Sequence, residues 1–126
     1  MRKFLLLPAI LAASIAVVPA LSPASAAGPN GATLFAQRCG SCHSVQAGAP
    51  ATIAPNLAGV VGRKAATGNF RYSSALKASG LTWTKQNLNT FLSGPGKMVP
   101  GTRMVITIHD TAQRKAIIDF LASTSK

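Results

Sequence analysis

The sequence predicts an all-α domain with about four short helices and long connecting loops. Apolar residues recur at helical spacing in several short segments, and no segment alternates apolar and polar residues as a half-buried strand does. Eleven glycines and eight prolines interrupt these segments, so much of the chain is expected to be loop. Such short helices bury a thin core, and a cofactor at the centre of the domain would supply the missing apolar volume.

Residues 1–26 have the pattern of a secretory signal peptide. A basic start is followed by a long apolar run and then by a step of small residues. We expect cleavage after Ala26, with Ala20 or Ala27 as alternatives, leaving one domain over residues 27–126. An uncleaved membrane anchor is the alternative, but prolines and alanines make the run a poor membrane helix. The domain is therefore expected to be exported and not to span a membrane.

The first helix is predicted over residues 30–40, where Asn30 can serve as the N-cap. Phe35, Cys39 and Cys42 fall on one face of this segment at helical spacing. The long stretch that follows the cysteines has no clear period. It is expected to be an irregular loop.

Three further helices are predicted in the second half of the chain. The second extends from Ser73 to Ser79 and is ended by Gly80. The third begins near Thr82 or Thr84 and stops at the segment SGPG; its buried residues are expected to be Leu88, Phe91 and Leu92. The fourth begins at Asp110 or Thr111, with Gln113 placed for a capping box; its buried residues are expected to be Ile117, Ile118, Phe120 and Leu121.

The domain is strongly basic. The whole chain contains thirteen Lys and Arg residues but only two acidic residues, Asp110 and Asp119, which gives a formal net charge of +11. Arg2 and Lys3 belong to the predicted signal peptide, so the domain keeps eleven of the basic residues. Such a charge favours acidic protein partners, anionic membrane surfaces or nucleic acid. Export, and the lack of a run of adjacent basic residues, argue against nucleic acid. Acidic protein partners and anionic membrane surfaces stay open, and the charge alone is explained equally well by solubility.

The only two cysteines of the chain lie in the segment CGSCH, residues 39–43. Three interpretations are open: a thioredoxin-like dithiol, a zinc site that also uses His43 and His109, or covalent attachment of haem. The dithiol requires a βαβ pattern that the sequence lacks, and the zinc spacing matches no common structural site. Cys-x-x-Cys-His is the attachment signature of haem, because two thiols three residues apart can bond one ring edge while His43 ligates the iron.

Haem iron has a second axial position, for which Met98, Met104 and His109 are candidates. A methionine thioether is a soft ligand, and a Met/His pair raises the reduction potential relative to two histidines. Met104 is favoured because a Pro-Gly turn precedes it and Thr102 offers a hydroxyl to hold the backbone. Met98 has looser surroundings, and His109 is expected to face solvent.

From Gly31 to Leu121 the chain resembles a class I c-type cytochrome of the mitochondrial and related bacterial type. The resemblance is carried by several motifs in the expected order: CGSCH, APNLAGVVGRKA, FRYSSAL with GLTWT, and VPGTRM. It implies the small monohaem cytochrome c fold around one covalent haem c. Cys39 and Cys42 would form the thioethers, His43 and Met104 would be the iron ligands, and the first and last helices would pack together.

The resemblance also implies roles for residues around the haem. The carbonyl oxygen of Pro55 would accept a hydrogen bond from His43. Arg63, Tyr72 and Trp83 would lie at the haem propionates. Three residues depart from the family pattern: Phe91 replaces a tyrosine that reaches the distal methionine, Leu76 replaces a buried asparagine, and Ile106 replaces an aromatic residue at the haem edge.

These features predict an electron carrier and not an enzyme, because a six-coordinate haem leaves no open iron position for a substrate. The expected role is that of a soluble monomer in a bacterial periplasm, passing one electron between an oxidase, reductase or dehydrogenase. Arg38, Lys97 and Arg103 would surround the haem edge and attract acidic partner surfaces. One alternative is a cytochrome c subunit of an exported dehydrogenase, which should show a large apolar surface patch. A ligand-sensing haem protein is another, and it requires Met104 to be absent from the iron.

Overall fold

A computed structural model of the chain describes residues 27–125, and the predicted signal peptide lies outside them. The described residues form five helices: α1 (Gly31–Arg38), α2 (Ser74–Ala78), α3 (Lys85–Ser93), α4 (Pro95–Met98) and α5 (Thr111–Ser123). The prediction of an all-α domain with long loops is confirmed. Within the described range, no helix has both the length and the apolar character needed to cross a membrane.

The helices begin where the sequence provides N-caps. The Asn30 side chain accepts a hydrogen bond from the N–H of Thr33 at 2.9 Å, and Asp110 accepts one from Gln113 at 2.8 Å. Ser73 caps α2 and Thr84 caps α3 in the same way. These side-chain acceptors satisfy N–H groups that the first turn of a helix leaves without partners.

Two helix ends differ from the prediction. Helix α1 ends at Arg38 instead of near residue 40, because the N–H groups of Cys39 and Gly40 both donate to the carbonyl of Phe35 and close the helix there. The SGPG segment ends α3 as expected but then begins the short helix α4, which was not predicted. Pro95 stands at the first turn of α4, where its fixed φ and missing N–H are tolerated.

Helices α1 and α5 cross in close contact at Gly31. A Cβ atom at this position would overlap the carbonyl oxygen of Ala116 and lie 2.9 Å from Cβ of Phe120. The rings of Phe35 and Phe120 pack beside the crossing with centroids 5.5 Å apart, and Ile117 is only 1% exposed. The expected packing of the first helix on the last is confirmed, and it depends on the missing side chain at Gly31.

A short backbone pairing joins the long loop to the second half of the chain. Trp83 donates its N–H to the carbonyl of Arg63 and accepts from the N–H of Gly62, both at 2.8 Å. Lys64 and Thr82 form an isolated antiparallel bridge beside these bonds. The pairing places Arg63 and Trp83 next to each other, although 20 positions separate them in the sequence.

Candidate haem site

The two cysteines lie in a single tight turn that continues from α1. The N–H of Cys39 donates to Phe35 O at 2.8 Å, and the N–H of His43 donates to Cys39 O at 2.9 Å. Both cysteines are partly buried, and they are not joined in a disulfide. The turn therefore brings two thiols and one imidazole together over five residues.

The imidazole of His43 is fixed by the backbone of the following loop. Its Nδ1 lies 2.7 Å from the carbonyl oxygen of Pro55. A carbonyl can only accept, so Nδ1 carries the proton and the lone pair is left on Nε2. Burial lowers the pKa of His43, and the bond to Pro55 opposes that shift only in part. His43 therefore stays neutral at pH 7, which is the form in which imidazole binds a metal.

The loop that presents the Pro55 carbonyl is held by two side chains. The amide of Asn56 donates to Gln46 O and Ala49 O, both at 2.8 Å. Arg63 donates to Asn56 O at 3.0 Å and to Ala58 O at 3.3 Å. The contacts of Asn56 were not predicted from the sequence. Arg63 was predicted to lie at a haem propionate, and the structure shows that its guanidinium braces this loop.

Two observations argue against a thioredoxin-like dithiol and against a zinc site at the cysteines. The pKa of Cys39 is raised, mainly by burial, with the Arg38 charge lowering it less. Catalytic dithiols need the opposite shift, because the thiolate is the nucleophile. Over residues 27–125, no three His, Cys, Asp or Glu side chains are grouped closely enough to hold a metal ion. His109 is exposed, as expected.

Met104 follows a turn that is held from two sides. The N–H of Thr102 donates to Val99 O at 3.0 Å, and the Thr102 hydroxyl lies 3.4 Å from the N–H of Met104. Arg103 donates to Arg71 O at 3.0 Å. Met104 is half-buried against the core. The alternative candidate, Met98, is also half-buried, but it lies at the end of α4.

Tyr72 and Trp83 provide donors that the protein does not use. The Tyr72 oxygen accepts from the N–H of Gly68 at 3.1 Å, which leaves its own O–H free to donate. Trp83 is 7% exposed, and its indole N–H has no acceptor among residues 27–125. Among the described residues, every fully buried side-chain N or O atom has a hydrogen-bond partner. The indole nitrogen of Trp83 has none, so it is not fully buried and can donate to a bound group. Carboxylates such as haem propionates fit these two donors.

Two of the three departures from the family pattern are apolar residues that pack on the core. Phe91 is 6% exposed, and its ring lies 4.9 Å from that of Trp83. Leu76 is partly buried against the same core. Ile106 differs, because it is 49% exposed and follows Val105, which is 82% exposed. Two apolar side chains therefore reach solvent beside Met104.

The predicted docking residues all lie at the surface. Arg38, Lys97 and Arg103 are exposed, and none of them forms an ion pair with a described residue. Arg114 behaves differently, since it is only 9% exposed and was not singled out from the sequence. Its position in the sequence could have indicated this burial, because Arg114 lies on α5 one turn after the Asp110 cap and close to the buried isoleucines.

Comparison with known proteins gives consistent matches over this region. Residues 29–125 match the family model for cytochrome c. A cytochrome c from Theileria annulata is 36% identical over 110 residues, which are 86% of this chain and 91% of that protein. A cytochrome c from Tetrahymena pyriformis is 45% identical over 74 residues, 59% of this chain and 66% of that protein.

Bacterial proteins match as well. A cytochrome c homolog from Bradyrhizobium diazoefficiens is 39% identical over 94 residues, covering 72% of this chain but only 51% of its own length. Cytochrome cH from Methylobacterium extorquens superposes with a TM-score of 0.67 at 41% identity, over 72% of this chain and 92% of that one. Its structure confirms the predicted monohaem fold.

Members of the matched family carry covalently attached haem c and transfer electrons through its iron. The Cys-x-x-Cys-His turn, the neutral histidine and the unused donors of Tyr72 and Trp83 suit that cofactor. The match extends over nearly all of the described residues, from α1 to α5. The chain therefore belongs to the cytochrome c family.

Proposed function

We propose that this chain is an exported carrier that passes single electrons between larger redox proteins. In this proposal Cys39 and Cys42 hold the haem c through thioethers, and His43 and Met104 are the axial ligands. The observation that carries the proposal is the 2.7 Å contact between Nδ1 of His43 and the Pro55 carbonyl, directly after the two cysteines. It leaves Nε2 as the only lone pair of that imidazole.

The cofactor supplies a one-electron couple between ferric and ferrous iron. The hydrogen bond from His43 to Pro55 makes the imidazole a better donor and fixes its orientation. Asn56 and Arg63 do not contact His43; they hold the loop that carries the Pro55 carbonyl. Truncating either side chain would leave this carbonyl less firmly placed as the acceptor for His43.

Partner encounter is assigned to the surface around Met104. Val105 and Ile106 reach solvent there, and the exposed cations Lys97 and Arg103 lie close to them in sequence. A positive surface attracts acidic partner surfaces and raises the association rate in a salt-dependent way. Arg38 would add charge beside the cysteine turn. The periplasm of a bacterium is the proposed location.

The test is a pair of spectra of the protein made with a haem-maturation system, for wild type and Met104→Ala. Haem should remain attached after denaturation, and wild type should show the weak far-red band of methionine bound to ferric iron. That band should vanish in Met104→Ala and persist in the matched variant Met98→Ala. Survival of the band in Met104→Ala together with its loss in Met98→Ala would transfer the ligand role to Met98.

A second candidate function is that of a cytochrome subunit held permanently in an exported dehydrogenase. The exposure of Val105, at 82%, favours it, since a permanent interface is more apolar than a transient one. Purification from the native host at high salt separates the two functions. A carrier should elute alone, whereas a subunit should retain the dehydrogenase.

A further inference from the structure

The chain between Met104 and Ile108 is held by hydrogen bonds only at its two ends. We call residues 104–108 the distal segment; they have no regular secondary structure. No backbone N–H or C=O of residues 105–107 is hydrogen-bonded to a described residue. Val105 and Ile106 are also largely solvent-exposed. The position of this segment therefore depends on the Thr102 turn at one end and on Ile108 at the other.

Ile108 is fixed through both of its backbone polar groups. Its side chain is 3% exposed, and its N–H donates to Leu92 O on α3 at 2.8 Å. Its carbonyl accepts from Nη1 of Arg114 at 2.8 Å. The same Nη1 also donates to the carbonyl of His109 at 2.8 Å. One guanidinium nitrogen thus holds two successive peptide groups at the end of the distal segment.

The remaining nitrogens of Arg114 anchor it to the helices. Nε donates to Oδ1 of Asn89 on α3 at 2.8 Å, and Nη2 donates to the Thr111 hydroxyl at 3.1 Å. All four partners are neutral oxygens: two backbone carbonyls, one side-chain amide and one hydroxyl. Arg114 takes part in none of the ion pairs among the described residues, which join Asp119 to Lys85 and Lys115. The planar fork of arginine can serve such a set of acceptors, while the compact ammonium of lysine cannot.

We propose that Arg114 is a positioning residue for the distal ligand: by fixing Ile108, it sets how tightly Met104 is held at the iron. The inference rests on the proposed function, in which Met104 is that ligand. Four residue steps separate Met104 from Ile108, a span of at most about 14 Å when extended. No backbone hydrogen bond holds the residues between them, so a movement of Ile108 acts on Met104 through this short link.

The test is competition between Met104 and added imidazole in the folded ferric holoprotein. Imidazole binds only where methionine has left the iron, so its apparent affinity reports the fraction of molecules with Met104 detached. Arg114→Lys keeps the positive charge and removes part of the fork. We expect it to bind imidazole at least about tenfold more tightly than wild type, with the far-red band still visible when no imidazole is present.

The matched control is Leu121→Ala on the same helix. Leu121 is 3% exposed and has no hydrogen bond to the distal segment, so its truncation lowers stability without loosening Ile108. This control should keep the imidazole affinity of wild type. Equal tightening in Leu121→Ala and Arg114→Lys would overturn the inference, because general destabilisation would then explain both.

The outcomes also separate this inference from the proposed function. If Met104→Ala keeps the far-red band, Met104 is not the ligand, so both its ligand assignment in the proposed function and the role of Arg114 fail. If Met104→Ala loses the band while Arg114→Lys keeps the imidazole affinity of wild type, only the role of Arg114 is refuted. Should Arg114→Lys fold poorly, Asn89→Ala removes one anchor of the guanidinium and should shift imidazole binding in the same direction.

Discussion

Gly31→Ala should strongly destabilise the protein, because α1 and α5 have no room for a methyl group where they cross. The new Cβ would overlap Ala116 O and lie 2.8 Å from Ala116 C and 2.9 Å from Cβ of Phe120. Two of these three atoms belong to the α5 backbone and the third is attached to it. Rotation of a flexible side chain therefore offers no relief, and the helices must move apart.

The size of the effect follows from that separation. Ordinary contact distances require a shift of about 1 Å, and a gap of 0.5–1 Å removes roughly a quarter to a half of the dispersion energy between the facing atoms. Overpacking of this kind typically costs about 1–3 kcal/mol. Because backbone must move here, we expect about 2–3 kcal/mol, equivalent to a Tm lower by roughly 10–20 °C for a domain of this size.

Urea unfolding of the holoprotein, followed by far-UV circular dichroism, measures this change. The matched control is Gly28→Ala, since a Cβ at Gly28 meets no atom within 4 Å. That control should lie within about 0.5 kcal/mol of wild type. A Gly31→Ala variant as stable as Gly28→Ala would refute the argument that the crossing depends on a missing side chain.

Two smaller effects should also be measurable. Ala66 has a φ of 58°, in the left-handed region that costs about 1–2 kcal/mol for a residue with a side chain. Ala66→Gly should therefore raise the free energy of unfolding by about 0.5 kcal/mol after the entropy loss of glycine, which urea unfolding measures as a higher midpoint. Lys115 and Lys85 hold the pKa of Asp119 down at about 2. Since this folded-state pKa lies below the unfolded one, Asp119 stabilises the fold above about pH 4 and loses that contribution as the pH falls toward 2. Asp119→Asn should remove this part of the acid dependence, and high salt should shrink the difference between the two proteins because the carboxylate is exposed. Unfolding midpoints of wild type and Asp119→Asn, measured from pH 5 to pH 2 at low and high salt, check the acid dependence and its salt sensitivity. Identical pH profiles for wild type and Asp119→Asn would contradict both.

The sequence predicted best those features that depend on neighbouring residues. Asn30 and Asp110 cap their helices because the acceptor side chain and the donor N–H are three residues apart. The CGSCH motif gave the cysteine turn for the same reason, since its hydrogen bonds join residues within one helical turn. Such local geometry is nearly independent of the rest of the fold.

Features that depend on distant partners were found only in the structure. Arg114 meets Asn89 across 25 positions, and its charge gave no indication that it would be buried. Helix α4 was not predicted because Gly-Pro-Gly is a typical stop signal, although Pro95 also suits the first turn of a new helix. The loop contacts of Arg63 were not predicted either, because they join its guanidinium to backbone carbonyls of an irregular loop whose path the sequence does not indicate.

The two sides of the proposed haem site depend on one helix, but by different kinds of interaction. The proximal turn follows α1, which is packed on α5 at Gly31 and will be reinforced by two thioethers in the proposed holoprotein. The distal segment is joined to α5 through the hydrogen bonds of Arg114. Thioethers do not exchange on the timescale of folding fluctuations, whereas hydrogen bonds break and re-form. Loss of the Arg114 hydrogen bonds should therefore release Met104 well before it releases His43, so that such a variant keeps its haem and histidine but exchanges its methionine.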